Sequence, residues 1–184
     1  MVITHLMNYS TRLWLVLQTS SANIRSGVRC LGSVVPELKI SDFDVKNEPV
    51  YNYLKGSKER VDLEKALNET AAKTEDVPIV IGDKEYRTKD VRYQVMPHNH
   101  KKKLAKFYYA DKDLVNKAIQ TACEAQQKWD RVPIPERLRI WETAASLMAK
   151  EYRAKLNAAT MLGQAKTIIQ AEIDSAAELV DFFR

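Results

Sequence analysis

Hydrophobic positions change their period once along this chain, near Asp111. Beyond it, Val115, Ala118, Ala122, Ala125 and Trp129 recur at three- and four-residue steps, which predicts one face of a helix. A second helix is predicted from near Pro135, a residue suited to a first helical turn, with Leu138, Trp141, Ala145, Met148 and Tyr152 in one stripe. A third runs from about Ala154 to Gly163, and a last one places Ile169, Ile173, Ala176, Val180 and Phe183 on its apolar face. Before Asp111 the pattern is that of strands. Val77-Pro78-Ile79-Val80-Ile81, then Gly82-Asp83, then Lys84-Glu85-Tyr86-Arg87-Thr88 reads as a hairpin, because a glycine-first turn supplies the positive φ a tight loop needs. Tyr93-Gln94-Val95 and Lys103 to Tyr109 read as two more strands around Pro97-His98-Asn99-His100. Further upstream, Leu38 to Tyr53 is polar and extended, with Pro49 disfavouring helix at Glu48. Ser57 is placed to cap a short helix through Leu63, Ala66 and Leu67.

The chain therefore divides into residues 1–36, an arm and short helix over 37–76, a β region over 77–109 and a helical region over 110–184. With 184 residues and 45% apolar composition it can bury one ordinary core. The first division differs in composition. It carries Arg12, Arg25 and Arg29, five serines and no acidic residue before Glu37. Arginine, serine and no acid are the marks of a mitochondrial transit peptide, a positive segment drawn by a matrix-negative potential. Without those arginines, 26 basic residues face 24 acidic ones, so the net charge falls from +5 to +2. That balance, with aromatics not interleaved along a basic stripe, argues against a nucleic-acid partner. The run Leu13-Trp14-Leu15-Val16-Leu17 falls far short of the roughly 20 residues of a membrane span. A water-soluble chain is expected.

Two cysteines, Cys30 and Cys123, allow no disulfide once the leader is removed, which suits a reducing compartment. Cys123 lies in an alanine-rich helix and is expected to act as a small apolar residue. His98 and His100, next to Lys101, Lys102 and Lys103, lack the third and fourth ligands a transition metal needs and are expected to form a polar turn. Gly163-Gln164-Ala165-Lys166-Thr167 has the end of a phosphate loop but not its leading glycine, and it follows a helix rather than a strand. No nucleotide site is expected there. Asp174, Glu178 and Asp181 share one face of the last helix, which by periodicity alone is a solvated acidic face.

Pro97-His98-Asn99, Ala110-Asp111-Lys112-Asp113-Leu114-Val115-Asn116-Lys117-Ala118, and Lys128-Trp129-Asp130 with Pro133-Ile134-Pro135-Glu136-Arg137 resemble the N-terminal helical part of aldehyde dehydrogenases. Met161 to Asp174, continued by Ala176-Ala177-Glu178-Leu179-Val180-Asp181-Phe182-Phe183-Arg184, is similar to the mitochondrial pyrroline-5-carboxylate dehydrogenase branch. The resemblance extends back through Val80-Ile81-Gly82-Asp83 to Asn47-Glu48-Pro49-Val50. One departure is Ala165, where the family's run more often has a second glycine before the lysine.

The resemblance implies an α/β aldehyde dehydrogenase fold, N-terminal part only: a small β-hairpin region followed by a mostly helical piece of the cofactor-binding domain. It implies NAD-dependent oxidation of glutamate γ-semialdehyde to glutamate in proline breakdown, in the mitochondrial matrix, by a homo-oligomer. Such chemistry needs a thiolate nucleophile, oxyanion donors and a hydride acceptor. The family's catalytic cysteine, base glutamate and dinucleotide-binding sheet lie further along, and this chain has no G-x-G-x-x-G-like loop. No catalytic, cofactor or metal residue is therefore expected here, and the chain alone is expected to be inactive and to bind NAD weakly or not at all. Glu178, in the run Ala-Ala-Glu-Leu, matches a glutamate that lines the family's substrate cavity and is the one substrate-binding candidate. The last helix is still fully patterned at Phe182-Phe183-Arg184, with no glycine cap or trailing proline, which predicts truncation. The alternative function is a truncated interaction module that docks on full-length subunits.

Overall fold

The computed structural model of the chain describes residues 46–184. The predicted transit peptide, residues 1–36, lies outside the described residues. Residues 46–57 run extended and lead into helix α1 (Lys58–Ala72), where the Ser57 hydroxyl accepts from the Arg60 amide. Five strands follow: β1 (Glu75–Val77), β2 (Ile79–Ile81), β3 (Lys84–Tyr86), β4 (Val91–Met96) and β5 (Asn99–Tyr108). Helices α2 (Lys112–Trp129), α3 (Ile134–Ala149), α4 (Arg153–Gln164) and α5 (Ile168–Ala171) come next. A π-helical segment (Glu172–Ala177) then runs into α6 (Glu178–Phe183).

The predicted hairpin forms as β2 and β3, antiparallel, with Ile81 opposite Lys84 and Gly82 at φ 62° in the two-residue loop. Val77 does not join it. Pro78 has no N–H to extend a ladder, so the chain breaks there and Glu75–Val77 pairs in parallel with β5 instead. The main sheet has the order β1-β5-β4, with β4 and β5 antiparallel.

Two apolar clusters hold the helices. Ala144, Ala145, Met148 and Ala149 of α3 meet Val180, with Leu156, Leu179 and Phe183 around them. Leu63 and Ala66 of α1 meet Tyr53 and Ala158 of α4, with Leu67, Met161 and Ile168 at the margin. Small residues predominate, so the helices approach closely.

Two predicted stripes do not bury as their period suggests. In the last helix, Ala176 and Val180 are 0% exposed, but Ile169 is 48% and Ile173 37% exposed. The π turn adds a residue and rotates the stripe out of phase, which a 3.6-residue period misses. Helix α2 buries no residue at all: Val115, Ile119 and Trp129 are exposed, and Ala118 is half-buried. Its contacts are with the β2–β3 hairpin, where Lys117 lies 5.0 Å from the Tyr86 ring centroid.

Candidate functional site

Arg153 opens α4, and Asn157 one turn later faces the same way, so both side chains point at the π segment. There Glu172 is 0% exposed, a carboxylate in full burial. A lone buried carboxylate would cost far more than a fold can tolerate, so its partners matter. Both Glu172 oxygens accept from Arg153 Nε, at 3.1 and 3.3 Å, and Arg153 Nη2 donates to it as well. Tyr53 Oη donates at 2.7 Å, Asn157 Nδ2 at 2.7 Å and the Tyr51 amide at 2.8 Å. These donors fill the acceptor sites a carboxylate offers.

Arg153 is equally occupied. Nη1 reaches Glu48 Oε1 at 2.5 Å and the Ala149 carbonyl at 3.4 Å, and Nη2 reaches the Pro49 carbonyl at 2.5 Å. All five guanidinium donors thus have a protein partner, and the Tyr51 ring lies with its centroid 3.9 Å away. Arg184 joins Glu48 at 2.9 Å, and the Glu48 amide donates to Asp181 at 2.6 Å. The group clasps the extended arm to α4, the π segment and α6. Tyr53 holds φ 51°, a left-handed conformation that costs an L residue roughly 1–2 kcal/mol. That backbone places its hydroxyl on Glu172 while its ring packs against Leu63 and Ala158.

The electrostatics follow. Burial pushes the Glu172 carboxyl up, but the hydrogen bonds from Arg153, Tyr53, Tyr51 and Asn157 outweigh it and hold it below the usual carboxylate range. Burial, the hydrogen bond to Glu172 and its charge push the Tyr53 phenol up, out of reach of physiological pH. Burial pulls Arg153 down, and the two carboxylates more than reverse it. Every polar group at the centre is satisfied and none is poised for proton transfer. The clasp ties the arm, α4, the π segment and α6 together.

Glu178 begins α6 one step past the π segment and is exposed. Its carboxylate makes no hydrogen bond or ion pair with another described residue. The other two acids predicted to share its face are engaged: Asp174 with Lys166, and Asp181 with the Glu48 amide. Periodicity singled out none of Glu48, Tyr53, Arg153, Asn157 or Glu172. The one available signal was a charged or amide residue inside an apolar helix face, as Asn157 is between Leu156 and Ala158.

The Gly163 to Thr167 loop does not fit a dinucleotide's phosphates. It follows the C-terminal end of α4, where exposed carbonyls repel phosphate. The next helix spends its N-terminal donors on a capping box, in which the Thr167 hydroxyl accepts from the Gln170 amide and the Gln170 side chain accepts from the Thr167 amide. Cys123 is exposed on α2. His98 and His100 stand exposed at the β4–β5 turn, and no group of three or more His, Cys, Asp or Glu able to hold a metal occurs among the described residues. Nor is any described helix long and apolar enough to cross a membrane.

Comparison with known proteins places this geometry. Mitochondrial delta-1-pyrroline-5-carboxylate dehydrogenase of Danio rerio is 52% identical over 141 residues, 77% of this chain and 25% of that protein. The Homo sapiens enzyme of the same name is 52% identical over 144 residues, 78% of this chain and 26% of its own length. The chain thus spans about a quarter of the curated relatives it matches. The crystal structure of the delta-pyrroline-5-carboxylate dehydrogenase from Mycobacterium tuberculosis superposes with TM-score 0.73 and 38% identity, over 76% of this chain and 26% of that one. A form of that enzyme bound with NAD gives TM-score 0.73 at 35% identity, over 85% and 28%. The aldehyde dehydrogenase family profile matches residues 86–184. The chain belongs to the aldehyde dehydrogenase family.

Proposed function

We propose that this chain is the arm, β region and first helices of an enzyme that oxidises glutamate γ-semialdehyde to glutamate with NAD in the mitochondrial matrix. The observation that carries the proposal is the 52% identity to mitochondrial delta-1-pyrroline-5-carboxylate dehydrogenases across three quarters of the chain. We assign nucleophile, oxyanion donors and dinucleotide site to parts of the enzyme outside these residues, because Cys123 lies exposed in mid-helix and the Gly163 loop offers phosphate the wrong end of a helix. The residues present have a simpler task. The Glu48, Arg153 and Glu172 clasp fixes where α6 begins, and α6 presents the unpartnered Glu178 carboxylate as a polar wall of the substrate cavity. The assembled enzyme is a homo-oligomer.

A segment exchange tests this. The chain is substituted for the matching quarter of the Danio rerio enzyme, and NADH formation is followed with glutamate semialdehyde and with an apolar aldehyde of similar length. The chimera should keep its preference for the semialdehyde, and Glu178→Ala within it should raise KM more than it lowers kcat. The free chain should form no NADH. A folded chimera without semialdehyde activity, or steady turnover by the free chain, overturns the reading.

A second reading rests on α2, whose exposed Val115, Ile119 and Trp129 leave an apolar face open. In it the chain docks on full-length subunits as an interaction module. Sizing chromatography with the intact Danio rerio enzyme decides: co-elution supports it, and separate elution at every concentration removes it.

A further inference from the structure

We propose that the distal end of the β4–β5 hairpin, centred on Lys101, Lys102 and Lys103, is a docking surface for an anionic phospholipid bilayer. From Val91 to Ala110 the chain carries Arg92, Lys101, Lys102, Lys103 and Lys106, with His98 and His100, and no carboxylate. Three lysines of α1 and the turn after it are paired by contrast: Lys58 with Asp62, Lys65 with Glu69 and Lys73 with Glu75. At the inner end of the hairpin the same holds, with Arg92 on Asp90 and Lys106 on Asp76. Lys101, Lys102 and Lys103 have no acidic partner among the described residues.

The backbone presents them outward. β1 pairs with β5 at residues 105–107, the Thr74 hydroxyl donates to the Lys103 carbonyl and Met96 is 3% exposed. The exposed end of the hairpin is therefore the turn from Pro97 to Lys102, with the Lys103 side chain beside it. There Val95 faces Lys103 and Met96 faces Asn99, so His100, Lys101 and Lys102 have no residue opposite them. Such a bulge re-aims side chains and bends the strand. It pushes two lysines and a histidine off the sheet, all exposed. Tyr93, 44% exposed, stands beside them with Lys103 Nζ 3.8 Å from its ring centroid.

A bilayer suits this better than a nucleic acid. Single-stranded nucleic acids stack bases on free aromatic faces, but Lys103 covers a face of Tyr93, and Arg92 lies 5.1 Å from the Tyr109 centroid. An exposed hairpin turn with three adjacent lysines and a partly exposed tyrosine matches a plane of phosphates with an interfacial depth for the ring. The inference is independent of the catalytic reading.

Co-sedimentation of the full chain with phosphatidylcholine vesicles, with and without phosphatidylglycerol, tests it. Each lysine near an anionic surface contributes roughly a fivefold gain, so K101Q/K102Q/K103Q should lower the partition coefficient on the order of a hundredfold. K58Q/K65Q/K73Q removes the same charge from neutralised positions and should leave binding near that of the parent. Far-UV circular dichroism should report the same fold in all three. Equal loss in both variants would show an effect of net charge alone and overturn the proposal. So would undiminished binding of the hairpin variant, equal binding to neutral vesicles, or no vesicle binding by a chain that binds duplex RNA at the same salt.

Discussion

Replacing Arg153 by methionine removes the one cation among the described residues that faces both Glu48 and Glu172. Arg153 is 4% exposed and Glu172 0%. Breaking a buried pair by removing one partner costs about 3–5 kcal/mol, since it leaves a charge with no compensation. A domain's entire margin is about 5–15 kcal/mol. With a urea slope of about 1–3 kcal/mol/M, the midpoint should fall by one to several molar, or the variant should be largely unfolded. The companion variant replaces the three most buried ionised groups together, Glu48→Gln, Arg153→Met and Glu172→Leu. It should recover part of the loss, because no buried charge is left uncompensated, while the Tyr53, Asn157 and Tyr51 donors lose their acceptor.

The pH dependence separates this from a packing defect. In the parent, Glu172 is held below its unfolded value of about 4.3, so its contribution is present above that pH and is lost as pH falls through the lower folded value. In Arg153→Met, burial acts on Glu172 without the guanidinium and raises it, so protonation relieves the strain and the deficit against the parent should shrink on going from pH 7 to pH 4. Urea titrations followed by far-UV circular dichroism at both pH values measure this. A stability within about 0.5 kcal/mol of the parent at pH 7, or a deficit that does not change with pH, would refute the reasoning.

Three further outcomes are expected. Ala165→Gly should stabilise the chain by about 1 kcal/mol, read as a higher thermal midpoint, because Ala165 caps α4 at φ 56° in the left-handed region. Gly82→Ala should cost about 1 kcal/mol in the same assay, since Gly82 holds φ 62° and the new Cβ would meet Thr121 Cγ2 at 3.4 Å. Val115→Ser with Ile119→Ser, at 47% and 58% exposure, should change stability by less than about 0.5 kcal/mol while lowering both hydrophobic-dye binding and self-association.

The sequence showed what depends on neighbours along the chain. Ser57 as a cap, Gly82 in a two-residue turn and the stripe of Ala145 and Met148 are all set within a few residues, and each stands where its local chemistry puts it. Ala165 is similar, since its place in a family run that more often holds glycine has a backbone reason in its positive φ. The clasp was hidden because its members lie far apart in sequence. No period links Glu48 in an irregular arm to Arg153 at the start of a helix, and a charge beside alanines reads as solvent-facing until its partners are known. The α2 stripe is a different case: its helix stands where the period puts it, but its face is open. Its period is strong, but nothing among the described residues lies across its outer face.

The π segment is what brings the clasp and the apolar core together. A helix of constant pitch through Ala171 to Phe183 could not aim Glu172 and Ser175 at α4 while keeping Val180 against α3. One extra residue in the turn allows both: Ser175 Oγ lies 3.0 Å from Asn157 Oδ1, and Val180 remains fully buried against Ala145 and Met148. The same rotation turns Ile173 outward and sets Glu178 free of partners at the start of α6. If the clasp positions Glu178, then weakening it without unfolding, as Asn157→Ala should, ought to disturb semialdehyde affinity in the chimera more than kcat. An equal fall in kcat at unchanged KM would separate the clasp from the substrate wall and leave it a purely structural lock.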